Sequence, residues 1–136
     1  MSILAKSRSE SVLAACQDVS LPSDAVDLRP AEIGGVMVRG RMGATGDAFN
    51  LGEMTVTRAA VRLSCGTIGY GYVQGRSADH ARTAAIIDAL MQTERADEMV
   101  RAVLAPLQSL ISRRDADVRA KAGSTKVDFF TMVRAE

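Results

Sequence analysis

The sequence predicts an α+β domain: an antiparallel sheet with one central hairpin, and helices packed on one of its faces. Three observations carry that expectation. Residues 53 to 76 alternate in side-chain character in two runs joined by a short turn, which is the pattern of a β-hairpin. The runs at 80–92 and 97–122 instead repeat with the 3.6-residue period of an amphipathic helix. The strand-like runs are consecutive and joined by short turns, so they pair antiparallel, and the helices need one common sheet face to cover.

Residues 3 to 16 read as a first helix, with Ile3, Leu4, Val12, Leu13 and Cys16 on a broad face and Ser7, Arg8 and Glu10 outside it. "QDVSLPSDAVDLRP" follows as a linker with two prolines and a short edge strand at 25–28. Residues 33 to 42, "IGGVMVRGRM", form a strand. Val36, Val38 and Met42 point one way, Arg39 and Arg41 the other.

The hairpin over 53–76 reads with a two-residue turn at Cys65 and Gly66, so that paired residue numbers sum to 131. One face then pairs Leu63 with Ile68, Val61 with Tyr70 and Ala59 with Tyr72, and is the core face. The other pairs Arg62 with Gly69, Ala60 with Gly71 and Val56 with Gly75, with Arg58 among them. Two arginines, about 13 Å apart at ~3.3 Å per residue, thus stand over a nearly bare strand. Glycine weakens a strand and often marks close approach by a ligand or another backbone. The face reads as a docking surface offering each arginine an anion or carboxylate. The plainer reading is a solvated basic face.

Ser77 caps the next helix, and Asp79 suits its first turn. His80, Ala84, Ile87 and Met91 form its apolar stripe, widened by Ile86 and Leu90. His80 is the single histidine, and a helix N-terminus disfavours its charged form. It reads either as a neutral, hydrogen-bonded group at the core's edge or as a donor or base at a shared interface site. The third helical run carries Val100, Val103, Leu104, Leu107, Leu110 and Ile111 in period. Pro106 should kink or split it, and Gly123 should stop it. The tail "TKVDFFTMVR" alternates with both faces apolar, Phe129 and Phe130 included. As a strand it needs cover on both sides, which points to a partner.

Bulk properties narrow the function classes. The chain has 136 residues, enough for one domain over 1–136, with 47% hydrophobic and 24% charged residues and a net charge of +1. That charge makes it neither a nucleic-acid magnet nor a membrane-surface binder. Cys16 and Cys65 lie far apart with no C-x-x-C pair, so the expectation is two reduced thiols and no zinc or iron–sulfur site. The N-terminus "MSILAKSRSE" has no signal-peptide run, and "AAIIDALM" is too short to cross a membrane, so the expected location is cytoplasmic.

In "RMGATG", Arg41, Gly43, Thr45 and Gly46 form a loop whose backbone N–H groups and hydroxyl suit an anion. It lacks the lysine of a P-loop and no helix follows it, while a G-x-x-G loop also grips nucleic acid in KH domains. A tight turn that lets another chain come close is the leading reading, a phosphate contact the second, RNA the last. With Arg58, Arg62, Arg76, His80, Phe129 and Phe130, these four residues complete the ligand or interface candidates. No nucleophile–base pair, carboxylate dyad or metal set is visible, so no catalytic residue is assigned.

Taken in order, "SVLA" at 11–14, "RMGATG" at 41–46, "TVTRAAVRL" at 55–63, "GTIGYGYVQGR" at 66–76, "HARTAAIIDALMQ" at 80–92, "LAPL" at 104–107 and "VDFFTMVR" at 127–134 resemble the PhnG subunit family of the bacterial carbon–phosphorus lyase system. The chain departs from that family in a short linker after Cys16, where a longer helical insertion is usual, and in the lack of an aromatic just before "SVLA". The resemblance implies one subunit of a core complex with PhnH, PhnI and PhnJ. The implied reaction joins ATP and an alkylphosphonate such as methylphosphonate, releasing adenine and forming α-D-ribose 1-methylphosphonate 5-triphosphate. It implies no cofactor in this subunit, ATP being a substrate of the complex, and radical iron–sulfur chemistry in a different subunit. The alternative is a stand-alone phosphate- or nucleotide-binding module using the 43–46 loop.

Overall fold

The computed structural model describes residues 1–127. Two short helices, α1 (Ser2–Lys6) and α2 (Ser9–Ala15), precede three strands, β1 (Val26–Arg41), β2 (Ala48–Arg62) and β3 (Ile68–Gln74). Three helices follow: α3 (Ala78–Leu90), α4 (Ala96–Met99) and α5 (Ala105–Ser124). The strands form one antiparallel sheet in the order β1-β2-β3. The helices pack against one of its faces, so the chain has the α+β fold that its alternation and periodicity predict.

The first helix is broken rather than continuous over 3–16. Ser7 takes extended backbone, φ −74° and ψ 153°, and its hydroxyl donates to the Ile3 carbonyl at 2.8 Å. A hydroxyl that competes for a helix carbonyl helps end the helix there. Leu4 and Val12 are buried on either side of the break, while Leu13, expected on the same face, is exposed. The strand expected over 33–42 is longer and begins at Val26, running through Pro30. Proline is tolerated because β1 is an edge strand, and register shifts between 27 and 32 accommodate it. Met42 has left the strand for a short 3₁₀ turn (Met42–Ala44) at the ribbon's tip.

The central hairpin turns on three residues, 64–66, not two. Leu63 N–H donates to Thr67 C=O at 2.9 Å, Gly66 N–H to Leu63 C=O at 2.9 Å, and Gly66 sits at φ +88°. A left-handed residue closing a three-residue loop is a common hairpin geometry, and glycine adopts it without steric cost. Paired numbers therefore sum to 130, placing Arg62 opposite Ile68, Ala60 opposite Tyr70 and Arg58 opposite Tyr72. The slip of one residue exchanges the two faces of β3. The core face carries Thr57, Ala59, Val61 and Val73 with Gly69 and Gly71; Tyr70, Tyr72 and Ile68 lie outside.

The two glycines admit the protein's own helix. A Cβ on Gly71 would fall on the carbonyl oxygen of Ala81, and one on Gly69 on that of Ala85 and 2.8 Å from the Ala89 Cβ. Ala81, Ala85 and Ala89 form the row of α3 that lies in this groove. The other side of α3, with Ala84 and Ile87, is also buried, against α2 and α4. Pro106 splits the last helical run: a π-helical turn over Val100–Leu104 joins α4 to α5 and absorbs the missing N–H. Gly123 lies inside the last turn, and α5 ends one residue later.

Candidate functional site

With α3 on the glycine side, the described residues leave the opposite sheet face open. Alternation along β2 places Arg58 and Arg62 there, and the register adds Tyr70 and Tyr72 from β3 and Arg29 and Glu32 from β1. Arg29, Arg58, Tyr70 and Tyr72 wall a shallow concavity of about 360 Å³ over Ala60 and Gly71. Tyr70 is 62% and Tyr72 43% exposed. The Glu32 carboxylate sits 3.5 Å from Arg29 Nε and 3.9 Å from Arg58 Nη2. Charge-assisted hydrogen bonds run at roughly 2.7–2.9 Å, so both guanidiniums keep donors free for another anion. Arg62 has no ion-pair partner among the described residues.

This arrangement corrects the expected pairing. The arginines do not stand over bare glycine; Gly69 and Gly71 face α3, and the arginines stand beside tyrosines. The three-residue turn puts Tyr70 and Tyr72 outside the core; a two-residue reading would put them inside. The signal that would have corrected it is the alanine row at 81, 85 and 89, a complement to a G-x-G strand. Alternation alone does not reveal that Arg29 and Glu32 share this face, because bulges between 27 and 32 reset the faces of β1.

The 43–46 loop closes on itself. Gly46 N–H donates to the Met42 carbonyl at 2.8 Å, and Arg41 Nη1 donates to the Gly46 carbonyl at 3.1 Å. A Cβ on Gly46 would meet Met42 O at 2.7 Å, and Gly43 sits at φ +56°, so the glycines serve the turn itself. The Thr45 hydroxyl turns toward the Gly43 carbonyl at a long 3.5 Å. The loop lies at the tip of the β1–β2 ribbon, beyond the end of β3 and away from Arg58. Arg76 is exposed in the turn before α3 and does not line the concavity.

His80 is 1% exposed, and its Nε2–H donates to the Leu4 carbonyl at 2.9 Å. Its backbone N–H donates to the Ser77 hydroxyl at 3.2 Å, so Ser77 is the cap that the sequence suggests. Burial holds the imidazole below its ordinary pKa, partly offset by the bond to Leu4. The histidine is thus an internal tether between α1 and α3. Phe129 and Phe130 lie outside the described residues. Among the described residues no group of three or more His, Cys, Asp or Glu could hold a metal ion, and no helix is long and apolar enough to cross a membrane.

Comparison with known proteins places these features in a family. The family model described as "Phosphonate metabolism protein PhnG" matches residues 1–135. A relative from Rhizobium meliloti (strain 1021), the alpha-D-ribose 1-methylphosphonate 5-triphosphate synthase subunit PhnG, is 46% identical over 129 residues, covering 88% of this chain and 81% of the relative.

Proposed function

The chain belongs to the PhnG family of phosphonate metabolism proteins, and from that premise we propose that it acts as the PhnG subunit of α-D-ribose 1-methylphosphonate 5-triphosphate synthase. It assembles with PhnH, PhnI and PhnJ subunits. The complex joins ATP and methylphosphonate and releases adenine. This chain brings no cofactor of its own and contributes an interface rather than an acid, base or nucleophile.

The observation that carries the interface role is the open sheet face. Arginine and tyrosine are the residues most enriched among the energetic centres of protein interfaces. Here two guanidiniums and two phenol rings, left uncovered by the described residues, stand around one concavity, with one loosely held carboxylate beside them and Arg62 further along the same face. The reading is supported from the other side by His80, the sequence's best general-base candidate, whose Nε2 is engaged with a backbone carbonyl.

The test is co-expression of tagged chain with PhnH, PhnI and PhnJ, followed by assay of adenine release from ATP with methylphosphonate. The isolated chain should show no turnover. The double substitution Arg58→Ala, Arg62→Ala should leave its thermal midpoint unchanged, because exposed side chains contribute little to stability. It should weaken assembly, by on the order of 2–5 kcal/mol for each arginine whose charge pair is buried there. A sharp fall in melting would make the arginines internal supports, and unchanged assembly would make the face merely solvated. Saturable ATP binding by the isolated chain, lost on substitution in the 43–46 loop, would favour the stand-alone nucleotide module.

A further inference from the structure

Among the described residues, no strand pairs with the outer edge of β1. Past the pair of Val56 with Gln74, residues 35–41 and 48–55 continue as a two-stranded ribbon. Gly75 N–H donates to Thr55 C=O and Leu63 N–H to Thr67 C=O, so odd-numbered residues of β2 bond β3 and even-numbered ones bond β1. In β1, Glu32, Gly34, Val36 and Val38 face the even residues of β2. The outward N–H and C=O groups therefore belong to Ile33, Gly35, Met37, Arg39 and Arg41.

The other edges carry protection. On β3, Asp88 Oδ2 accepts the Tyr70 N–H at 3.0 Å and Gln92 Nε2 donates to the Ile68 carbonyl at 2.9 Å. The ribbon edge of β2 is broken by the bulge at Leu51. The inner half of β1 carries Pro30 and two register shifts. Between 32 and 41, β1 has no proline, no lysine and no break in its own alternation. A two-stranded ribbon is marginal alone, and a third strand makes it stable.

Resting on the multisubunit reading above, we infer that an extended segment of another synthase subunit, carrying carboxylates, adds as a strand to the free edge of β1 over residues 33–41. Charge selects that occupant over a second copy. Arg39 has no ion-pair partner among the described residues. If two β1 edges paired about a twofold axis, directly opposed residues would share a face, so odd numbers would meet odd. Glu32 is even, so within 32–41 Arg39 and Arg41 would meet only Ile33, Gly35, Met37 or each other. A heterologous strand can set a carboxylate opposite each arginine and apolar side chains opposite Ile33 and Met37.

The substitution Met37→Pro tests this. It removes one outward N–H, a change that edge strands tolerate. Met37→Ala keeps that N–H and removes the side chain. In the co-expressed complex, Met37→Pro should weaken capture of the other subunits at least tenfold while Met37→Ala stays within about threefold. Amide exchange at 33, 35, 37, 39 and 41 should be fast in the isolated wild-type chain and slow in the complex. Equal capture by Met37→Pro, or fast exchange in the complex, overturns the inference. So does an isolated chain that is dimeric and already protected at these amides. If Met37→Pro lowers the thermal midpoint, the exchange pattern of the wild-type proteins decides. Failure of the wild-type chain to assemble at all would instead overturn the multisubunit reading.

Discussion

Inside the helical layer, the imidazole of His80 holds two elements together through a single proton. Its Nε2–H bond to Leu4 joins α1 to α3, and a buried carbonyl would be left bare without it. His80→Ala should cost about 2–4 kcal/mol in a urea titration, from the cavity and the unpaired acceptor together. Burial depresses the native pKa below the ordinary 6.5, so the unfolded chain binds the proton more readily. The contribution is then fully present above about pH 6.5 and is lost as pH falls toward the native pKa. The difference in stability between wild type and His80→Gln, which keeps a donor but does not titrate, should shrink as pH drops from 7 to 5.5. A pH-independent difference would show that the ring has the same pKa folded and unfolded, and that burial does not depress it.

The two cysteines diverge in the same way, through surroundings. Cys65 is exposed in the hairpin loop, and the Thr67 hydroxyl 3.3 Å away pulls its thiol below the ordinary range. Burial pushes Cys16 up. Alkylation of the native protein followed by mass spectrometry should label Cys65 and spare Cys16 until denaturant is added.

At the level of elements, alternation along β2 alone put Arg58 and Arg62 on the outer face, and that much was legible in the sequence. The identity of their neighbours was not. Which side Tyr70 faces depends on one residue in a turn, and "SCG" permits either loop length until Leu63 is known to pair with Thr67. The break at Ser7 was equally hidden, because a helical period continues across it while a local hydroxyl ends the helix. The close approach of β3 and α3 gives a direct test of the corrected register. Gly71→Ala should destabilise by at least ~3 kcal/mol, since its Cβ meets helix backbone rather than a movable side chain. Gly52→Ala, with nothing within 4 Å of its Cβ, should stay within about 0.5 kcal/mol. If both are mild, Gly71 does not face α3.

For the whole molecule, fold class followed from two periodicities, and family from the order of seven short motifs that are individually weak. The candidate site was legible only in part. The loop at 43–46 looks like an anion cradle in one dimension, but its donors and glycines serve its own closure. The ribbon it terminates was invisible as such, because a sequence shows strands and not where the third strand stops.

The apolar side chains on that ribbon and its tip, among them Leu51 at 67% and Met42 at 76% exposed, bear on the fate of surplus copies. In a chain made in excess of any companion subunit, an open strand edge favours edge pairing and aggregates, and exposed apolar side chains favour proteolysis. Raising its synthesis alone should therefore enlarge the insoluble and degraded fractions, while the soluble pool stays tied to the scarcest companion.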